Sequence, residues 1–125
     1  MKRKNLIILV ISLVLLFLSA LFYFKNSDWF SAEKDTSIIL YVQDGCSHCE
    51  IVEEYIDSNQ INSKIVFLQK NITNNQFVIN ELISKAKFCG FSNNEIGTPF
   101  LWNGENSSCL VGDVDIINFF EERIK

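Results

Sequence analysis

An uninterrupted apolar run at residues 6–24 sets the limits within which the rest of this chain can fold. The run contains no charged residue and only two serines over 19 positions, and about 20 apolar residues are enough for a helix to cross a bilayer. Cleavable signal peptides have a shorter apolar region, of about 7–15 residues, with small residues at the cleavage site. We therefore predict an uncleaved transmembrane signal-anchor within residues 1–25, with a cleaved signal as the alternative.

The charges that flank the run predict its orientation. Three basic residues, Lys2–Lys4, precede it and Lys25 follows it. Short cytoplasmic flanks carry the excess of Lys and Arg in membrane proteins. We expect a single-pass protein of the cell membrane with a cytoplasmic N-terminus, a polar linker at residues 26–35 and an extracytoplasmic domain at residues 36–125.

The composition of the remaining chain argues against two classes of protein. Residues 26–125 contain all 15 acidic residues but only 7 of the 11 basic ones, a net charge of −8. Nucleic-acid-binding surfaces need Lys and Arg for the phosphates, so we expect no nucleic-acid partner. The content of Ile, Phe and Val is too high for a disordered segment, and the length fits one small domain, which we expect to be monomeric.

Hydrophobic periodicity predicts an α/β domain. The predicted strands are residues 36–43, 64–69, 100–102 and 109–111, and the predicted helices are residues 49–59, 74–88 and a last one around 116–124. Asp113 or Asp115 is placed to cap the last helix. The order β-α-β-α-β-β-α predicts a four-stranded mixed sheet with helices on both faces, whose first two strands are parallel and last two antiparallel.

The pattern Cys46-Ser47-His48-Cys49 stands at the junction of the first strand and the first helix. The free N–H groups and positive dipole end of a helix N-terminus stabilise an anion, so Cys46 becomes a thiolate more readily there. Cys49 lies one turn into the helix, where it can resolve a mixed disulfide. His48, the chain's one histidine, would favour the Cys46 thiolate and make the pair a stronger oxidant; an exposed histidine without a role is the alternative.

The chain's one proline, Pro99, follows Thr98 at the head of the third predicted strand. Beside a Cys-x-x-Cys motif, we predict a cis bond here rather than a trans proline that only opens a strand. Because proline has no N–H, the backbone of Thr98 would stay free to pair with an extended substrate segment beside Cys46. We therefore assign Thr98 and Pro99 to substrate binding.

Cys89 ends the second predicted helix and Cys109 opens the fourth predicted strand. Free cysteine is often buried, so both can be small core residues. Outside the cytoplasm they can instead form a structural disulfide, which would close a loop of about 20 residues and stabilise the fold by about 3 kcal/mol. Both possibilities stay open at this point, whereas the cysteine spacing argues against a four-cysteine zinc site, and we assign no metal ligands.

Over roughly residues 36–125 the chain resembles the thioredoxin-like superfamily, and within it the single-domain glutaredoxin-like branch. The resemblance is carried by the Cys46–Cys49 motif, by Thr98-Pro99 about fifty residues later and by Val111-Gly112 before the last helix. It implies that the first cysteine is the attacking nucleophile, the second the resolving thiol and the proline a cis-proline opposite them. A histidine before the second cysteine is similar to Dsb-type oxidants and protein disulfide isomerases.

The resemblance to glutaredoxins also implies substrate-binding roles for Gly112 and Asp115, since Asp115 matches an acidic residue that binds the amino group of glutathione. Two departures argue against glutathione as a cofactor: Val111 stands where glutaredoxins have the first glycine of a Gly-Gly pair, and Val114 replaces the neighbour of the acidic residue. Asp44-Gly45 also stands in place of the Trp-Cys entry of thioredoxin. We therefore predict no cofactor besides the dithiol itself.

The main hypothesis is a membrane-anchored thiol–disulfide oxidoreductase that exchanges disulfides with protein clients through Cys46 and Cys49 and can draw on a membrane redox partner. The alternatives are a glutathione-linked glutaredoxin, a metal- or cofactor-handling module whose thiolates bind copper, zinc or an iron–sulfur cluster, and an inactive thioredoxin-like domain that only binds partners. The direction of redox transfer, oxidant or isomerase against reductant, does not follow from these residues.

Overall fold

The computed structural model describes residues 2–25 and 37–125. The predicted linker at residues 26–35 lies outside the described residues, as does the first residue of the first predicted strand. The two described parts also belong to different compact units of the chain, so each is described by itself.

The N-terminal part is one helix, α1 (Lys2–Lys25). Its segment Lys2–Ala20 is long and apolar enough to cross a membrane. The large apolar side chains from Leu6 to Leu18 are all exposed, and a helix that is apolar on every side needs an apolar surrounding. Such a helix suits a membrane anchor or a signal sequence.

The second part contains the α/β domain. Its elements are β1 (Ile38–Val42), α2 (Ser47–Ser58), a short 3-10 helix (Ile61–Ser63), β2 (Leu68–Asn71), α3 (Gln76–Phe88), β3 (Phe100–Asn103), β4 (Ser108–Val111) and α4 (Asp113–Ile124). The strands lie in the order β2-β1-β3-β4, with β1 and β2 parallel and the other two pairs antiparallel. The predicted element order and mixed four-stranded sheet are confirmed, and the arrangement is compatible with a thioredoxin-like fold.

The central strand β1 sends alternate side chains into a core on each face of the sheet. Leu40 and Val42 belong to the core that is built with α2 and α4, while Ile39 and Tyr41 belong to the core that is built with α3. All five residues of β1 are buried, which explains why its sequence is a continuous apolar run. Helices therefore cover both faces of the sheet, as predicted.

The second strand lies further along the chain than the sequence predicts: residues 64–69 are expected, and β2 spans Leu68–Asn71. The ladder with β1 begins at the pair Ile39 and Leu68. The apolar residues Ile65 and Phe67 precede this ladder and pack against the core instead. Their apolar character therefore reflects core packing and not strand pairing, which is why periodicity places the strand too early.

The start of α4 differs from the predicted cap. Gly112 is the N-cap residue, with a φ of 94°, and it has no side chain that could cap the helix. Glycine adopts positive φ without a steric penalty, so the chain can turn into the helix at this point. Asp113 and Asp115 both lie in the first turn, where a carboxylate interacts favourably with the helix dipole, but the prediction that one of them caps the helix is wrong.

A disulfide joins Cys89, at the C-cap of α3, to Cys109 in β4. The Cα atoms are 6.1 Å apart, and both side chains pack against the core on the α3 face of the sheet. The bond encloses the segment from Gly90 to Pro99, which returns the chain from the end of α3 to the start of β3. The disulfide therefore fastens the Cys89 end of this segment to β4.

Replacing Cys89 and Cys109 together by alanine should lower the free energy of unfolding by about 3 kcal/mol, because the unfolded chain loses a crosslink that closes a long loop. Urea denaturation of the full-length chain in detergent micelles measures the difference. The matched control is the double variant Cys46→Ala/Cys49→Ala, which removes a disulfide between residues only 3 positions apart and should cost about half as much, less than ~2 kcal/mol. Equal losses in the two variants would contradict this prediction.

Candidate active site

The turn between β1 and α2 presents Cys46. Gly45 in this turn has a φ of 70°, a conformation that residues with a Cβ rarely adopt. Asp44 fastens the turn to the segment after β2: its N–H donates to Thr73 Oγ1 at 2.9 Å, and its carboxylate accepts from Asn71 Nδ2 at 2.5 Å. The turn is thus held on two sides, and Cys46 becomes the N-cap residue of α2.

The sulfur of Cys46 forms a disulfide with Cys49, with Cα atoms 5.2 Å apart. Two donors point at this sulfur: the backbone N–H of Cys49 at 3.2 Å and the hydroxyl of Thr98 at 3.7 Å. The carbonyl oxygen of Thr98 lies 3.5 Å away. After reduction, the two donors and the N-terminal end of the α2 dipole would stabilise negative charge on Cys46.

The two sulfurs differ in access. Cys49 is 1% exposed and belongs to the core between the sheet, α2 and α4, whereas Cys46 is half-buried at the surface. A thiol or disulfide from outside therefore meets Cys46 first, and Cys49 can act only from behind it. This asymmetry suits one attacking and one resolving cysteine.

The peptide bond between Thr98 and Pro99 is cis, as the sequence predicts. Pro99 is buried, and its carbonyl oxygen accepts a hydrogen bond from the N–H of Gly112 at 3.0 Å. Because Gly112 begins α4, this bond ties the start of β3 to the start of α4. Thr98 thus contacts Cys46, and Gly112 is joined to the neighbouring Pro99.

His48 projects from the first turn of α2 towards the first turn of α4. Its Nδ1 lies 3.2 Å from Oδ1 of Asp113, and the side chains are 66% and 21% exposed. The hydrogen bond from His48 is the main cause that lowers the pKa of Asp113 below its usual value. Sequence reasoning considered Asp113 only as a cap. Asp113 directly follows Gly112, at the start of a helix that packs beside α2. This position is the signal that could have identified it as the partner of His48.

Asp115 lies elsewhere. It lines a groove of about 410 Å³ together with residues of β3, β4 and α4, among them Asn103, Ser108 and Arg123. The groove that Thr98 lines is a different one. Asp115 is therefore placed with the β3–β4 hairpin and not with the sulfur of Cys46.

Within residues 2–25 and 37–125, no three His, Cys, Asp or Glu side chains converge so as to hold a metal ion. Comparison of the chain with protein-family models, with curated proteins and with solved structures finds no match. The chemistry of the site is therefore derived from the two cysteines and the groups around them.

Thr98→Val should slow the alkylation of reduced Cys46 about fivefold at pH 7, because the thiolate loses the hydroxyl donor and a hydrogen bond of this kind is worth about 1 kcal/mol. Iodoacetamide labelling followed by mass mapping of Cys46 measures the rate. Thr98→Ser keeps a hydroxyl and is the matched control, with a rate close to that of the unmodified chain. Equal slowing in both variants would show that the hydroxyl is not the cause.

Asp113→Asn should destabilise the domain near neutral pH, because it removes the carboxylate that accepts the hydrogen bond from His48. Since folding lowers the pKa of Asp113, its stabilising contribution is present above the unfolded pKa of about 3.9 and is lost as the pH falls through the lower, folded value. The difference in unfolding free energy between the unmodified chain and the variant should therefore shrink at acid pH, as measured by urea denaturation at pH 6 and pH 2.5.

Asp115→Asn is the control for this experiment, since Asp115 lies in the same helical turn but outside the contact with His48. Its loss of unfolding free energy should include the effect of removing a negative charge near the N-terminus of α4. It should not include the effect of losing the contact with His48. The loss of unfolding free energy in the double variant Asp113→Asn/His48→Gln should then be smaller than the sum of the losses in the two single variants. Strictly additive losses would rule out the coupling between Asp113 and His48.

Proposed function

We propose that this protein is a membrane-anchored thiol–disulfide oxidoreductase that exchanges disulfides with protein clients. The observation that carries the proposal is the disulfide between the half-buried Cys46 and the buried Cys49, with two hydrogen-bond donors and a helix N-terminus directed at Cys46. A disulfide that is reachable at one sulfur and resolvable from the other is suited to exchange in two steps. A purely structural crosslink needs neither feature.

Exchange in the oxidising direction starts when a client thiolate attacks Sγ of Cys46. The bond between Cys46 and Cys49 breaks, its electron pair leaves on the sulfur of Cys49, and a mixed disulfide joins Cys46 to the client. A second client thiolate then attacks the client sulfur of this mixed disulfide and releases the Cys46 thiolate. The client gains a disulfide, and the two cysteines take up the two electrons and are left as thiolates that exchange protons with the solvent.

Reduction of a client runs through the same species in reverse. The Cys46 thiolate attacks a client disulfide and forms the mixed disulfide, while one client sulfur leaves as a thiolate and takes a proton. Cys49 loses its proton and attacks Sγ of Cys46, which restores the internal disulfide and releases the second client thiolate. In both directions Cys46 carries the client. The donors directed at Cys46 therefore stabilise its thiolate both when it leaves the mixed disulfide and when it attacks a client disulfide.

The remaining residues of the site have supporting roles in this proposal. Thr98 and Pro99 lie beside Cys46, where the backbone of Thr98 can pair with an extended client segment. His48 directs its Nδ1 at Asp113 and stands two residues after Cys46 in the first turn of α2, where in this proposal its protonated ring favours the reduced, anionic state of Cys46. Asp115 lies in a separate groove, so the proposal uses the dithiol alone and does not require glutathione.

The proposed location follows from α1 and its flanking charges. We place the chain in the cell membrane as a single-pass protein, with the N-terminus in the cytoplasm and the domain outside, where protein clients form and rearrange disulfides. A redox partner in the membrane could renew the state of the cysteines. As part of the proposal, we assign the domain to the glutaredoxin-like branch of the thioredoxin-like superfamily. The thioredoxin-like arrangement of its strands and helices and the spacing of its motifs support this assignment.

The proposal predicts different behaviour for the two cysteines. Cys46→Ala should abolish disulfide exchange with a peptide substrate, whereas Cys49→Ala should still attack once and accumulate the mixed disulfide, because no resolving thiol remains. Non-reducing gels and mass mapping of the full-length chain in detergent micelles follow the adduct. The double variant Cys89→Ala/Cys109→Ala should keep the activity of Cys46 and Cys49, and activity that survives in Cys46→Ala would sink the proposal.

A redox titration of the same protein settles the direction of transfer. Equilibration in glutathione buffers with differential alkylation gives the reduction potential of Cys46 and Cys49. A value near −120 to −180 mV is typical of oxidants and isomerases, and a value at or below about −270 mV is typical of reductants. Because His48 favours the reduced state, His48→Gln should move the potential to a more negative value.

A further inference from the structure

A groove of about 390 Å³ lies between α3 and the segment that leads to Thr98. Its walls are mainly aliphatic side chains, which come from the end of β2, from α3 and from the segment before β3: Ile72, Ile79, Leu82, Ile83 and Ile96. Leu82 is part of the core and closes the bottom of the groove, while Ile79 and Ile83 remain half-buried. The volume is within the range of sites that bind ligands, about 300–1,000 Å³.

The groove is continuous with the cysteine site. Thr98 lines it, and the carbonyl oxygen of the same residue lies 3.5 Å from Sγ of Cys46. Gln43 also lines it, and the carbonyl oxygen of Gln43 accepts a hydrogen bond from the N–H of Cys46 at 3.4 Å. A client chain that is joined to Cys46 therefore lies at the mouth of the groove.

The other end of the groove carries a positive charge. Because β1 and β2 are parallel, the end of β2 and the first turns of α3 lie at the same edge of the sheet as Cys46, and later turns of α3 lie further away. Lys87 follows Ile79 by eight residues, which is about 12 Å along a helix. Of the described residues that line the groove, Lys87 is the one with a charge, and it makes no ion pair with a described residue.

We propose that this groove binds the client and selects extended segments with an apolar residue next to the exchanging cysteine and an acidic residue about four positions beyond that apolar residue. The inference deepens the proposed function and rests on it. The aliphatic walls fit the apolar side chain, and a distance of about 12 Å corresponds to about four residues of extended chain. An acidic client side chain at that distance pairs with Lys87, within a domain whose overall charge is negative.

The test uses the full-length chain in non-ionic detergent, in the Cys49→Ala background, so that the reaction stops at the mixed disulfide. The probes are synthetic peptides with one cysteine activated as a 2-thiopyridyl disulfide. Leucine stands on both sides of the cysteine, and glutamate, glutamine or lysine stands four positions beyond each leucine. Reduced Cys46 attacks the peptide sulfur, and the released 2-thiopyridone gives the rate. The glutamate peptide should react about fivefold faster than the lysine peptide at low ionic strength, and salt should reduce this preference.

Two variants examine the two properties of the groove. Lys87→Glu should reverse the preference between the glutamate and lysine peptides. Lys64→Glu is the matched control, because it makes the same change of net charge at an exposed position outside the groove, and it should preserve the preference. Ile83→Ser should slow the leucine peptides at least threefold relative to peptides with glycine beside the cysteine.

A neutral small disulfide, 2,2′-dithiodipyridine, separates the two levels of the proposal. All groove variants should react with it at the rate of their Cys49→Ala parent. The groove assignment is overturned if the reaction with 2,2′-dithiodipyridine is unchanged and either Lys87→Glu and Lys64→Glu shift the charge preference equally or no charge preference exists. The proposed function stands in that case. If Cys46 reacts neither with the peptides nor with 2,2′-dithiodipyridine, the proposed function fails and the groove assignment fails with it.

Discussion

The contact between Cys46 and Thr98 is the interaction on which the site depends. The two residues are 52 positions apart in the chain, and they meet because β1 ends just before Cys46 while β3 begins just after Thr98. The two strands are antiparallel neighbours, with Tyr41 opposite Phe100 at this end of the ladder. A slip of one residue in this register would turn every side chain of β3 to the other face of the sheet. The packing of both cores therefore also fixes the geometry of the sulfur site.

The elements that sequence reasoning located well are those whose residues alone determine them. β1 is a continuous apolar run because it is buried on both faces, and α3 ends where Gly90 takes a positive φ. β2 is different, since an edge strand is defined by where its neighbour can pair with it. Its residues are largely exposed, so they carry little hydrophobic signal, and the stronger signal came from Ile65 and Phe67 in the preceding segment.

The same distinction applies to the site. Cys46, Cys49, Thr98 and Pro99 belong to short motifs whose order along the chain already suggests a thioredoxin-like arrangement, and the structure brings these residues together. The partner of His48 depends instead on the packing of α2 beside α4 and on the turn at Gly112, which decides that Asp113 enters the helix. The groove is assembled from β1, the end of β2, α3 and the segment before β3. No single stretch of sequence contains enough of it to be recognised.

The two disulfides differ in what their reduction would release. When the bond between Cys46 and Cys49 opens, few conformations become accessible, because only two residues lie between the cysteines and both belong to α2; the backbone bonds from Cys49 and Glu50 to the carbonyl of Cys46 also remain. The bond between Cys89 and Cys109 instead joins residues 20 positions apart, and the chain between them includes Thr98 and one wall of the groove. In the chain-entropy model the second crosslink stabilises the fold more than the first, because it closes the longer loop, and the folded domain stabilises that crosslink by the same amount. The fold thus combines a disulfide whose opening leaves the start of α2 in place with a disulfide that joins the end of α3 to β4.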